Sequence, residues 1–232
     1  SISQNTKLPK CRPKHSPIHL LVVLGSGGHT AEMFSMLRRM QLNTSRYSYR
    51  TYVVSSGDDF SAAKAIEFEK SLQGEEDDTS YTIVTVPRAR RVHQFFLTAP
   101  LSTLQCFWAC VRVLCGRYPD QKPLPLCYSS YPDLILTNGP ATAVCVILAA
   151  KFLRLFSRYA MKEKKQGDKP TVQDIRLRTI FVESWARVTT LSLSGKLLLP
   201  FVDRFLVQWP ALGGKAAWWS TRKTEYAGAL VD

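Results

Sequence analysis

An apolar run that stops at a cluster of glycines is the strongest constraint on what this chain can fold into. His19-Leu20-Leu21-Val22-Val23-Leu24 is too short for an independent helix and apolar enough to be a strand buried on both faces. It ends at Gly25-Ser26-Gly27-Gly28, and from Thr30 to Met40 the residues Met33, Phe34, Met36, Leu37 and Met40 recur at helical spacing. Strand, tight turn and helix make the opening of a βα unit. The alternation continues: strands are predicted at Tyr49–Ser55, Tyr81–Val86, Leu134–Leu136, Thr179–Val182 and Arg204–Val207. A helix opens after Gly57-Asp58-Asp59 with either aspartate as its cap, and another covers Ala141–Phe156. Val92–Cys115 reads as a long apolar helical stretch kinked or broken at Pro100. The fold class is α/β, with a parallel, helix-covered sheet.

In such sheets ligands bind beyond the carboxyl ends of the strands, so the strand reading becomes a list of candidate residues. It selects Gly25–Thr30, Ser55-Ser56-Gly57, Pro87–Arg91, Thr137-Asn138-Gly139-Pro140 and Glu183-Ser184-Trp185. The turn Gly25-Ser26-Gly27-Gly28-His29-Thr30 lets backbone approach a ligand closely and offers free N–H groups to an anion. It lacks the third glycine of a dinucleotide fingerprint and the Lys-Ser/Thr of a Walker loop. His29 has the right chemistry for a general base towards a hydroxyl; the alternative is a capping or core histidine. Glu183 either orients a sugar hydroxyl or the histidine, or caps a helix or pairs with Arg187.

Pro87-Arg88-Ala89-Arg90-Arg91 adds three guanidinium forks suited to a diphosphate. Phe95, Phe96, Leu97, Leu101, Phe107 and Trp108 follow, either as a membrane-facing surface or as core. The formal net charge of +13 also points to an anionic partner. Nucleic acid is not favoured, because no helix-turn-helix, RNP-type or zinc-finger pattern accompanies the charge. The six cysteines form no CxxC pair and sit mostly in apolar runs, which reads as free thiols in a reducing compartment. No metal-ligand spacing joins them to the four histidines.

Together, LVVLGSGGHTAEM, YVVSSGDDFSAAKAIEFE, VPRARRVHQ, PDLILTNGPATAV and FVESWARVTTLSLSGKLL resemble, in order, the membrane-anchor subunit family of the heterodimeric UDP-N-acetylglucosamine transferase of asparagine-linked glycosylation. The resemblance runs from about Ile18 to Asp232. It implies a Rossmann-like domain, the amino-terminal half of a split GT-B glycosyltransferase, whose donor half and UDP-N-acetylglucosamine belong to a separate partner chain. This chain would itself hold no cofactor. The complex would add the second N-acetylglucosamine to N-acetylglucosaminyl-diphosphodolichol on the cytosolic face of the endoplasmic reticulum membrane, continuous with the nuclear envelope. By the same match His29 is the candidate base, Gly25, Ser26, Gly27 and Gly28 form the diphosphate cradle, and Glu183 is a cleft residue. Thr30, Arg88, Arg90, Arg91, Asn138 and Gly139 join the expected acceptor-binding set by their own chemistry and their place beyond the strand ends. The alternative is a non-catalytic module that recruits the partner to the membrane.

The organisation expected is a basic tail over residues 1–17, one domain over 18–232 and a Lys-rich loop at 160–174. Family members generally carry a hydrophobic anchor ahead of the first strand. None is visible before Ile18, which leaves removal of an anchor and peripheral attachment as alternatives.

Overall fold

The computed structural model describes residues 17–73, 80–90, 99–122, 131–139, 141–163, 176–216 and 221–231. The elements run β1 (His19–Val23), α1 (Gly28–Arg39), β2 (Tyr49–Ser55), α2 (Asp59–Gln73), β3 (Tyr81–Val86), α3 (Ala99–Leu114) and β4 (Leu134–Asn138). They continue with α4 (Ala141–Glu163), β5 (Arg178–Val182), α5 (Leu193–Leu198), β6 (Arg204–Val207) and β7 (Glu225–Tyr226). The strands form one sheet in the order β3-β2-β1-β4-β5-β6-β7, and every pairing is parallel. This is a Rossmann-like α/β fold. The chain reverses its direction of travel across the sheet between β1 and β4, so the loops after those two strands flank the switch point at which ligands of such sheets bind.

Alternation along β1 explains why its sequence is apolar throughout. Leu20 and Val22 face one layer, where Met33, Phe34 and Leu37 of α1 pack with Phe68 of α2. Leu21 and Val23 face the other, against Cys106 and Cys110 of α3 and Val146 and Ala150 of α4. Each such side chain contributes about 1.5–3 kcal/mol on full burial. Cys106, Cys110 and Cys145 are buried free thiols, the small hydrophobes their apolar neighbours predicted.

Several boundaries differ from the sequence reading. Pro100 lies in the first turn of α3, where its missing N–H breaks no helical bond, so it starts the described helix and does not kink it. Val92–Thr98 falls outside the described residues. Helix α4 continues past Phe156 to Glu163, because Arg158, Ala160, Met161, Lys162 and Glu163 are good helix formers. Residues 160–163 of the expected Lys-rich loop are therefore helical, and 164–174 lie outside the described residues. Asp58, not Asp59, caps α2: its carboxylate accepts from the Ser61 backbone N–H at 3.2 Å. The short elements α5 and β7 were not predicted.

Candidate active site

The glycine turn is braced from below and open above. The Thr30 hydroxyl donates to the Gly25 carbonyl and lies 2.7 Å from the Ser61 hydroxyl, which in turn donates to Asp58 at 2.7 Å. These contacts are buried, so Thr30 holds the turn's shape from within the protein. Ser26, Gly27 and Gly28 are exposed. Gly27 adopts φ 60°, ψ −118°, a conformation that other residues rarely take, and nothing lies within 4 Å of where its β-carbon would be. Helix α1 starts at Gly28 with no side-chain cap and no acidic residue in its first turn. Its leading N–H groups and positive dipole end are thus left for an anion.

Beside the turn is a cavity of about 500 Å³ whose lining includes Gly25, Ser26, Arg88, Arg90 and Asn138, five of the residues singled out from sequence. Arg88 is partly committed to the protein, donating from Nε to the Ser56 carbonyl at 2.6 Å and from Nη2 to the Gly57 carbonyl at 2.9 Å. Arg90 is exposed at the cavity. Ser55 and Thr142, whose hydroxyls lie 2.8 Å apart, and Leu193 and Ser194 of α5 complete the polar and apolar wall. Arg91 lies outside the described residues.

His29 stands at the start of α1 with its ring against Gly139. A β-carbon at Gly139 would fall 2.8 Å from His29 Cγ, and Gly139 has φ +90°; the glycine predicted there from sequence is what lets the ring in. Nδ1 of His29 is 3.8 Å from Oε2 of Glu32, one turn on along the same helix. Glu32 accepts from the Asn138 amide and from the Ser184 hydroxyl, both at 2.8 Å. The Glu32 contact raises the pKa of His29 above its ordinary value against the opposing effect of burial. Burial would raise that of Glu32, but its contacts with His29, Asn138 and Ser184 outweigh it and hold the carboxyl below its usual range.

Glu183 reaches the same edge but points inward. It is buried, accepting from the Ser192 backbone N–H at 3.0 Å, the Ser192 hydroxyl at 3.1 Å and the Ser184 N–H at 3.3 Å. Ser192 caps α5 by accepting from the Gly195 N–H. Burial pushes the Glu183 carboxyl up, and those donors oppose the rise. This geometry fits the capping alternative: Glu183 shapes the turn into α5 and bears on His29 only through its charge.

Of the proposed membrane-facing residues, Leu101 and Trp108 are exposed at 72% and 51%, whereas Phe107 is half-buried against the core. Phe95, Phe96 and Leu97 lie outside the described residues. Sequence reasoning missed that α4 extends the same surface: Trp108 and Phe107 contact Phe152, which stacks on Phe156, and Phe156 and Tyr159 are 65% and 69% exposed. It also missed Glu32. The signal for Glu32 was its spacing of three from His29 on a predicted helix. No described helix is long and apolar enough to cross a membrane.

The family described as "Oligosaccharide biosynthesis protein Alg14 like" matches residues 20–230. The chain is 61% identical over 228 residues to UDP-N-acetylglucosamine transferase subunit alg14 of Aspergillus fumigatus, covering 86% of this chain and all of that protein. It is 38% identical to the corresponding Yarrowia lipolytica subunit, over 95% of this chain and 84% of that one. Identity to the Homo sapiens subunit is 34%, over 94% and 85%. No solved structure matches the chain significantly. By sequence over nearly its whole length, the chain belongs to the Alg14-like family of oligosaccharide biosynthesis proteins.

Proposed function

We propose that this chain is the acceptor-binding, membrane-side subunit of a UDP-N-acetylglucosamine transferase, acting on a lipid-linked diphosphate sugar, N-acetylglucosaminyl-diphosphodolichol. The observation that carries the reading is the open, uncapped glycine turn Gly27-Gly28 beside His29 at the sheet's switch point, with Arg88 and Arg90 lining the adjacent cavity. Backbone N–H groups and Arg90 take the diphosphate, and His29 takes the acceptor hydroxyl proton. As that oxygen bonds C1 of the incoming sugar, the C1–O bond to the donor phosphate breaks and UDP leaves with the electron pair. The donor is held by a separate catalytic partner, a reading supported by the relatives' names, which call each of them a subunit of the transferase. Purified alone, the chain is expected to transfer no sugar to the lipid acceptor. Copurified with its donor-binding partner it is expected to do so. Turnover by this chain alone at the rate of the complex would refute the division of labour.

The aromatic surface of α3 and α4 supports attachment to the cytosolic face of the endoplasmic reticulum membrane. Leu101, Trp108, Phe152, Phe156 and Tyr159 are exposed on it. Exposed Arg158 lies on a neighbouring side of α4 together with Lys151 and Arg154, the last paired with Asp203 at 2.6 Å. Burial lowers the pKa of Lys151; Asp203 supports its charge, and Arg154, Arg222 and Arg158 oppose it. Aromatic rings seek the headgroup boundary, and each nearby cation adds about 1 kcal/mol on an anionic leaflet. Trp108→Ser, Phe152→Ser and Phe156→Ser combined are expected to abolish most sedimentation with phosphatidylserine-containing vesicles, and added salt to weaken what wild type shows. Equal sedimentation of variant and wild type would move the membrane contact elsewhere.

A further inference from the structure

Two buried polar atoms at the site have no hydrogen-bond partner among the described residues: Nδ1 of His29 and Oδ1 of Asn138. Buried atoms of this kind are rare and call for a reason. Both belong to one cluster. Asn138 donates its amide to Oε2 of Glu32, the oxygen that faces His29 Nδ1 across 3.8 Å. Ser184 holds the other carboxylate oxygen. Glu32 is therefore fixed from β4 and from the loop after β5, and the imidazole stops just short of it. The His29 side chain still keeps a third of its surface exposed although Nδ1 is enclosed.

We propose that Glu32 is the positioning residue for His29: its carboxylate holds the proton on Nδ1 and so leaves Nε2 as the basic atom for the acceptor hydroxyl. This rests on the reading of His29 as the base. A small rotation of the ring closes 3.8 Å to a hydrogen bond, and contacts of this type commonly tighten only when substrate is bound. The orphaned Nδ1 is then the donor awaiting that closure. A carboxylate on the far nitrogen also stabilises the imidazolium once the proton has arrived, as in other histidine bases. The groups that face the ring are Glu32 on α1, Asn138 at the end of β4, Gly139 just after it and, at longer range, the Glu183 charge after β5.

Glu32→Gln tests this, because glutamine preserves the hydrogen-bonding shape towards Asn138 and Ser184 while removing the charge. The titration of His29, followed by NMR of the imidazole nitrogens, is expected to fall by about one pH unit in Glu32→Gln. Glu32→Asp, which keeps the charge, should recover part of the shift and guards against a folding artefact in the first variant. In the complex with the donor-binding partner, kcat at saturating acceptor should fall roughly tenfold with KM little changed. A base works only when neutral, so the acid limb of the kcat profile should move to lower pH with the His29 titration. Identical His29 titration in wild type and Glu32→Gln overturns the contact, whatever the rate, and leaves Glu32 a mere tie between α1 and the sheet. A shifted titration with an unmoved acid limb overturns instead His29 as the base, and with it the catalytic part of the proposal.

Discussion

Replacing Glu69 by alanine is expected to destabilise the protein by about 3–5 kcal/mol, because it leaves a guanidinium buried without its counter-charge. Arg50 on β2 and Glu69 on α2 are both fully enclosed, with side-chain exposures of 0% and 1%. Their contact is bidentate: Nε to Oε1 and Nη2 to Oε2, each 2.7 Å. The Tyr52 hydroxyl also donates to Glu69 at 2.6 Å, so the variant strands a second polar group. The Ser80 hydroxyl and the Tyr47 carbonyl still accept from Arg50 at 2.9 and 2.8 Å, which satisfies donors but not the charge. Urea denaturation checks the size of the loss. In a thermal melt it should appear as a drop on the order of 10 °C for a chain of this length. A change below about 1 kcal/mol would mean that water reaches the pair. The network joins α2 to the amino-terminal part of β2, at the far end of the sheet from the glycine turn, so it serves the fold and not the chemistry.

How far the sequence could be read depended on whether a feature is written in neighbouring residues. Strands β1, β2 and β3 were legible because runs such as Leu20–Leu24 are apolar on both faces. The candidate edge followed from where those runs end, which is why Gly25, Ser26, Arg88, Arg90 and Asn138 are found lining one cavity. Strand β7 was not legible, since Glu225 and Tyr226 carry no period and are recruited only by pairing with β6. The inward turn of Glu183 is set by Ser192, nine residues on, and no local pattern announces it. Nothing in the residues next to Glu32 marks it out. Its partners Asn138 and Ser184 are 106 and 152 residues away and meet it only when the sheet assembles. The exposure of Phe152 and Phe156 was hidden for a different reason. Both sit in a helix apolar on several faces, where periodicity alone does not separate core from surface.

The second large effect falls on turnover. His29→Ala removes a side chain that stands beside the glycine turn with a third of its surface exposed and a carboxylate behind it. The ring packs on Gly139 and makes no hydrogen bond that α1 needs, so the variant should fold and assemble with its partner. The loss of a general base typically lowers the rate on the order of 10²–10⁴-fold, far beyond what a small packing defect produces. Because the raised pKa of His29 keeps it protonated to higher pH than a free imidazole, wild-type turnover should fall as pH drops through that raised value. The alanine variant should lose this acid limb.

The direct test of the account is the transfer of N-acetylglucosamine from UDP-N-acetylglucosamine to the lipid-linked acceptor, at saturating acceptor, by the wild-type and His29→Ala complexes copurified with the donor-binding partner. Equal assembly, a kcat lower by at least about a hundredfold in the variant and loss of the acid limb are expected. A His29→Ala complex that assembles normally and keeps the wild-type kcat would contradict this, and would leave this chain a tether for a partner that performs the chemistry alone.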